Sequence, residues 1–299
     1  MASADEGAQS RMALRKTVRS RRLGKQLHRL REDAQLSQEE LAERVNSSGA
    51  GKRLTTTHLS RVESGLARIT ADHLARIVQA TGGPASKVDE LEELRHRADE
   101  RGWWQEYRPY VPEPVEMLAE LGEDATSIRS YDLAFVQGLL QTERYAEAVI
   151  GAARAHVKPV DIDRLVDLRM RRQKRLSDPD FEGMAAVMTE GVIRTIVGGH
   201  EVMREQLQHL IKVAHDLPVA VHVLPFVAGA LPGSDSLVIF TFPHEGDGEA
   251  VFVDSDTASR IYEDRDPVKQ CTYTVNAAVA QALSVRESLD LIAQVMEEL

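Results

Sequence analysis

The sequence predicts a mainly α N-terminal bundle followed by an α+β C-terminal domain with a small mixed or antiparallel sheet. Three observations carry this. Residues 19–84 place apolar side chains at helical spacing, punctuated by hydroxyl caps and glycine stops. Val219 to Leu224, Leu237 to Phe242 and Ala250 to Asp254 are β-branched runs divided by Pro/Gly loops, with helical patterns before and after them. Charge divides along the same line: residues 1–84 carry 15 Lys+Arg against 9 Asp+Glu, a net of +6, and the remainder carries 22 against 38, a net of −16. A chain of 299 residues has room for two such domains.

Residues 1–18 form a flexible arm that turns basic, and from Arg11 to Arg31 there are nine basic residues and no acidic one. The first helix follows, with Leu23, Leu27, Leu30 and Ala34 as its inner stripe and Arg22, Lys25 and Arg29 on its other faces. Ser37 and Glu40 have capping-box spacing, so a second helix starts at Gln38, buries Leu41, Ala42 and Val45, and gives out at Asn46. The polar run Ser47 to Arg53 is a loop. Thr55 or Thr56 then caps a third helix, whose Leu59 and Val62 point inward together with Leu54, and Gly65 stops it. Thr70 caps a fourth, which buries Leu74, Ile77 and Val78 and ends at Gly82-Gly83-Pro84.

This pattern leaves Thr56, Thr57, His58 and Arg61 on the outward side of the third helix's first turns. Short polar side chains and an arginine at a helix N-terminus suit a DNA major groove, where base edges are read and phosphates meet helix amides. With LSQEELAERV, LTTTHLSRVESG and TADHLARIVQATG in this order, residues 23–83 resemble the Xre-type (lambda Cro/434 repressor-like, Cro/C1-type) helix-turn-helix regulators. The resemblance implies that Gln38 and the amide end of the second helix hold a phosphate, and that Thr55, Thr56, Thr57, His58 and Arg61 face the groove. It also implies a structural ion pair between Arg31 and Glu63. One departure is the Ser47–Arg53 loop, longer by about seven residues than the family's link. Lys52 and Arg53 on it either grip an extra phosphate or mark a tolerated surface loop. A single domain this small makes few base contacts, so a homodimer on double-stranded DNA is expected.

Residues 85–111 predict a charged connecting helix, whose seam of Val88, Leu91, Leu94 and Ala98 serves packing or dimerisation, and a linker with Trp103 and Trp104. From residue 112 to 299, strands are expected at 126–135, 184–189, 219–224, 237–242 and 250–254, and helices at 142–151, 161–177, 201–215, 268–283 and 285–298. The segments LGEDATSIRSYDLAFVQGLLQTERYAEAVI, RMRRQKRLSDPD, VGGHEVMREQLQHLI and VAVHVLPFVAGALPG resemble the C-terminal regulatory domain common in actinobacterial members of these antitoxin-like regulators. Gln137 stands where that family usually has proline. The resemblance implies regulation through a partner, often a small protein encoded next to the regulator. The basic run from Arg169 to Arg175 is either a solvated helix face or a second nucleic-acid surface.

The histidines at 200, 209, 215, 222 and 244 match no zinc spacing, and neither a P-loop, a G-x-G-x-x-G nor a G-x-S-x-G occurs. No catalytic residue, cofactor or metal is therefore assigned, and the chain is expected not to be an enzyme. Cys271 is the single cysteine, and no apolar run reaches the roughly 20 residues of a membrane helix, so a cytoplasmic protein without membrane contact is expected. The expected function is transcription regulation by sequence-specific DNA binding as a dimer, with a C-terminal domain that responds to a protein or a ligand. The alternative is an antitoxin-like module that sequesters a small partner and uses DNA binding for autoregulation.

Overall fold

A computed structural model describes residues 17–47, 51–152, 161–243, 247–254 and 259–299. The expected N-terminal arm before Thr17, the loop residues 48–50 and His244 lie outside them. The described chain forms two compact units that divide at Gly102/Trp103.

The first unit has five helices: α1 (Val18–Asp33), α2 (Gln38–Ser47), α3 (Thr56–Glu63), α4 (Ala71–Ala80) and α5 (Ala85–Asp99). Hydroxyl caps set four of the five starts. Thr17 closes a capping box with Ser20, Thr55 accepts the His58 amide at 3.2 Å, and Thr70 accepts the His73 amide at 3.2 Å. Ser37 and Glu40 make the expected reciprocal pair at α2, at 2.7 and 3.1 Å. Of the two candidate caps for α3, Thr55 serves and Thr56 is the first helical residue.

Gly65 ends α3 in the left-handed region at φ 72°, with the amides of Leu66 and Gly65 bonded back to the carbonyls of Arg61 and Val62. Gly24 lets α1 cross this helix end: a Cβ there would lie 2.5 Å from the carbonyl oxygens of Val62 and Glu63. The seam expected for a connecting helix is used inside the bundle, because Leu91 and Leu94 of α5 join the core of Leu23, Leu27, Leu41, Leu59 and Leu74. Helix α5 packs on α1 and α4 and is the bundle's fifth helix.

The second unit is α+β. Its strands are β1 (Ser127–Asp132), β2 (Gly183–Thr189), β3 (Val219–Leu224), β4 (Ser236–Thr241), β5 (Glu249–Asp254) and β6 (Arg260–Tyr262), arranged in the order β3-β2-β1-β4-β5-β6. The sheet is mixed: β1, β2 and β3 are parallel, and the pairs β1/β4, β4/β5 and β5/β6 are antiparallel. Parallel neighbours need helical crossovers. Helices α7 (Glu143–Ala152) and α8 (Ile162–Gln173) supply one, and α9 (Glu190–Arg194) and α10 (His200–Asp216) the other.

Helices α11 (Arg265–Gln281) and α12 (Val285–Glu298) close the chain. Helix α11 supplies Val268, Val275 and Ala278 to the core around Tyr131, Val187 and Ile239. The apolar stripe of α12 buries Ile292 and Val295 within the unit, where α12 packs on α10 and β3.

Helix α6 (Glu113–Asp124) has no counterpart among the expected elements. Pro112 and Pro114 suggest a loop, but proline is compatible with a helix's first turn, where its missing amide has no partner to lose. Trp104 is buried with Tyr107, Ala119 and Leu168 in the second unit's own core.

Of the five basic residues in the 169–175 run, Lys174 is exposed and Arg171 partly exposed, but three do not form a solvated face. Arg172 and Arg175 are buried, and Arg169 donates to Gln141 at 2.7 Å, because a spacing of three turns all of them to one inner face. Arg175 is held by Asp178, Asp180 and the Ala125 carbonyl, whereas the Nε of Arg172 has no partner.

Candidate nucleic-acid interface

Helix α3 is short and buries Leu59, Val62 and the side chain of Glu63, so its other residues are left to face outward. Thr55, Thr57 and Arg61 are exposed, and Thr56 and His58 are partly exposed. The end of Arg61 donates to the Leu66 carbonyl at 3.4 Å, a long contact beside the helix stop. The His58 ring leans on His73, with centroids 6.1 Å apart. Burial, then the nearby His73, Lys52 and Arg61, push its pKa down, so His58 is neutral at pH 7 and offers one ring nitrogen as donor and one as acceptor.

Gln38 stands differently from its expected role. Its Nε2 donates one hydrogen to Glu63 Oε2 at 2.8 Å, so the side-chain amide is partly engaged inside the bundle, and its second N–H and the backbone amide are the donors that remain for a phosphate. Glu63 is the centre of this brace. Arg31 Nε reaches its Oε1 at 2.7 Å, Arg31 Nη2 its Oε2 at 3.1 Å, and Arg31 Nη1 the Leu36 carbonyl at 2.9 Å. Burial by itself would raise the Glu63 pKa, but the hydrogen bonds from Arg31, Gln38 and His28 outweigh it and hold the carboxylate below its ordinary range. The Arg31–Glu63 pair therefore fixes the end of α3 against the last turn of α1, and the Gln38 bond ties it to the first turn of α2, which gives the outward side chains a rigid base.

The Lys52–Leu54 segment is tied down at several points. The Lys52 carbonyl accepts Arg76 Nη2 and His73 Nε2, both at 2.8 Å, and Arg76 also donates to Asp72 at 2.6 Å and to the Val45 carbonyl at 3.3 Å. Asn46 bonds both the amide and the carbonyl of Leu54 at 2.9 Å, which mimics a backbone partner. Lys52 and Arg53 are exposed at this anchored rim, immediately before the Thr55 cap.

Asn46, His73 and Arg76 were not identifiable in advance as the groups that hold this loop. Their partners are backbone atoms, which leave no trace in sequence spacing. Helix α1 contributes less positive surface than its composition suggests, since Arg19 and Arg22 are buried and Arg19 donates to the Arg97 carbonyl at 3.0 Å.

Among the described residues no helix is long and apolar enough to cross a membrane. Residues 22–94 match a family described as helix-turn-helix domain, which agrees with the geometry of α2 and α3 and makes the first unit that of a DNA-binding regulator. No curated protein and no solved structure matches the chain. Residues 115–294, more than half of the 299, match the family described as domain of unknown function DUF5753, and the chain belongs to that family.

Proposed function

We propose that this DNA-binding regulator is of the Xre type and acts as a homodimer that recognises a specific double-stranded sequence and controls transcription. The observation that carries the reading is α3 itself. Thr57 and Arg61 stand exposed on a helix whose far end is clamped by Arg31, Gln38 and Glu63. In a major groove, Arg61 is placed for a guanine edge, and the small hydroxyls and the neutral His58 for hydrogen bonds of either sense. Lys52 and Arg53 flank the helix start as phosphate contacts.

The second unit acts by binding a protein partner or a small ligand rather than by catalysis.

The test is Arg61→Ala, measured on an operator obtained by in vitro selection and on random DNA at fixed salt. A base contact predicts a loss of about 1 to 3 kcal/mol on the operator and little on random DNA. Equal losses on both would reduce Arg61 to a backbone contact, and failure of the selection to enrich any motif would remove the sequence-specific reading.

A further inference from the structure

A buried arginine on α4 is directed at a loop as well as at its own bundle. Arg76 is 8% exposed, and its guanidinium reaches Asp72 on its own helix at 2.6 Å, the Val45 carbonyl of α2 at 3.3 Å and the Lys52 carbonyl at 2.8 Å. A buried ion pair is weak evidence for stability, because an apolar side chain of similar size often packs as well. What the arginine adds is direction. The neighbouring His73, also buried, donates from Nε2 to the same Lys52 carbonyl at 2.8 Å, and its ring meets that of His58 on α3. Two side chains of α4 thus tie the loop to α2 and to a residue of the outward helix.

The chain is shaped for this contact. A Cβ on Gly51 would lie 2.8 Å from Arg76 Nη2 and 2.9 Å from Asp72 Oδ2, so glycine lets the backbone pass this close to the ion pair. Asn46 holds the far side through the amide and carbonyl of Leu54. Between these anchors Lys52 and Arg53 are exposed. After burial and His73, the charges of Lys52 and Arg61 lower the His58 pKa, which places the Lys52 ammonium near the residues that face outward from α3. A lysine on a loose loop loses backbone freedom when it meets a phosphate, whereas an anchored one has already given it up.

We infer that Arg76 and His73 are positioning residues: by holding the Lys52 carbonyl they set Lys52 to grip a phosphate beside the groove that α3 reads. The inference rests on the DNA-binding reading and deepens it, since it makes residues 51–53 a built part of the footprint.

Salt titration of binding tests it, between about 50 and 200 mM, on an operator obtained by in vitro selection and on random duplex, with circular dichroism to check that each variant is folded. Lys52→Ala should flatten the dependence of log affinity on log salt by about 0.9 per bound subunit, roughly 3- to 4-fold less affinity lost across that range. The change should be equal on both DNAs, because a phosphate carries no sequence. Arg76→Met combined with Asp72→Asn removes one charge of each sign, leaves net charge unchanged and should flatten the slope by the same amount. Adding Lys52→Ala to that pair should change nothing further. Gly51→Ala presses on the Arg76 guanidinium from outside α4 and should act alike, and it decides the matter if the paired variant does not fold. A folded clamp variant that keeps the wild-type slope, losses that add, or a Lys52→Ala chain with an unchanged slope would each overturn the inference. If Arg61→Ala still separates operator from random duplex in that last case, the DNA reading stands without the loop. A wild type that binds no duplex removes both.

Discussion

Glu63 in the helical unit and Asp132 in the sheet unit are both withdrawn from water, and their surroundings treat them oppositely. Arg31, Gln38 and His28 converge on Glu63 and hold it ionised. Asp132, at the carboxyl end of β1, has one hydrogen-bond partner, the Ser130 hydroxyl at 2.6 Å, and burial pushes its pKa up to about 7 against the lowering effect of that bond. The buried arginines differ in the same way. Arg31 is spent on a carboxylate, whereas Arg172 is pushed down to about 9, by burial first and then by neighbouring Arg169. In the first unit Arg31 and Glu63 compensate one another, whereas in the sheet unit Asp132 and Arg172 face no opposite charge that moves them back. Burial therefore decides little until partners are counted.

Glu63→Ala breaks the first half of this comparison and should have the largest effect. It strands the Arg31 guanidinium in a site where its remaining partners are the Leu36 carbonyl and the His28 ring, neither of them an anion, at a cost of about 3 to 5 kcal/mol. Both tryptophans lie in the second unit, so intrinsic fluorescence reports that unit and the helical dichroism signal reports both. In a urea titration the dichroism transition should move to lower denaturant while the fluorescence transition stays. A double replacement, Arg31→Met with Glu63→Leu, should recover most of the loss, because an apolar pair leaves no buried charge behind. If the single and double variants are equally unstable, Glu63 matters for shape and the charge argument fails.

Asp132→Asn tests the other half. The folded-state pKa lies above the ordinary carboxylate range, so below about pH 4 the side chain is protonated in both states and costs nothing. As pH rises toward 7 the unfolded chain ionises freely while the folded chain holds its proton, and stability falls. Asparagine keeps an oxygen for Ser130 and removes the ionisation. Relative to wild type the variant should gain on the order of 2 to 4 kcal/mol at pH 8, with the gain vanishing by about pH 4. The fluorescence transition should show it. A gain independent of pH would mean that ionisation of Asp132 is not its source.

Much of the first unit was legible in the sequence because its signals are local. Ser37, Thr55 and Thr70 cap helices three residues ahead of the amides they bind, and Leu23, Leu27 and Leu59 declare their faces by spacing alone. The Arg31–Glu63 pair, 32 residues apart, came from family resemblance rather than from any local rule. The sheet unit hides more. The strands show as β-branched runs, but their order depends on pairings that span the domain, such as β1 with β4, and the short edge strand β6 has too few residues to signal itself. Within the 169–175 run, Arg169, Arg172 and Arg175 misled for the same reason: composition counts charges, and only the helix phase against distant Gln141 and Ala125 turns these three inward. At the interface, exposure of Thr57 and Arg61 followed from the burial of Leu59 and Val62, whereas the diversion of Gln38 to Glu63 needed tertiary geometry.

The first unit's own close fit has one local flaw. Helices α1, α3 and α4 end in the same way, with a left-handed residue and a backward bond to the third-last helical carbonyl: Leu36 to Arg31, Leu66 to Arg61 and Gly83 to Val78. At α3 and α4 the left-handed residue is glycine, Gly65 and Gly82, but at α1 it is Gln35, with φ 55°. A Cβ in that region is crowded by the backbone, and Gln35 is exposed, with no burial to offset the strain. Glycine would relieve it, though the unfolded chain gains freedom and takes back part of the benefit. Gln35→Gly should therefore stabilise the helical unit by about 0.5 to 1 kcal/mol, visible in the dichroism transition and absent from the fluorescence one. A loss instead of a gain would show that the glutamine side chain holds the α1–α2 turn through a contact stronger than the strain it imposes.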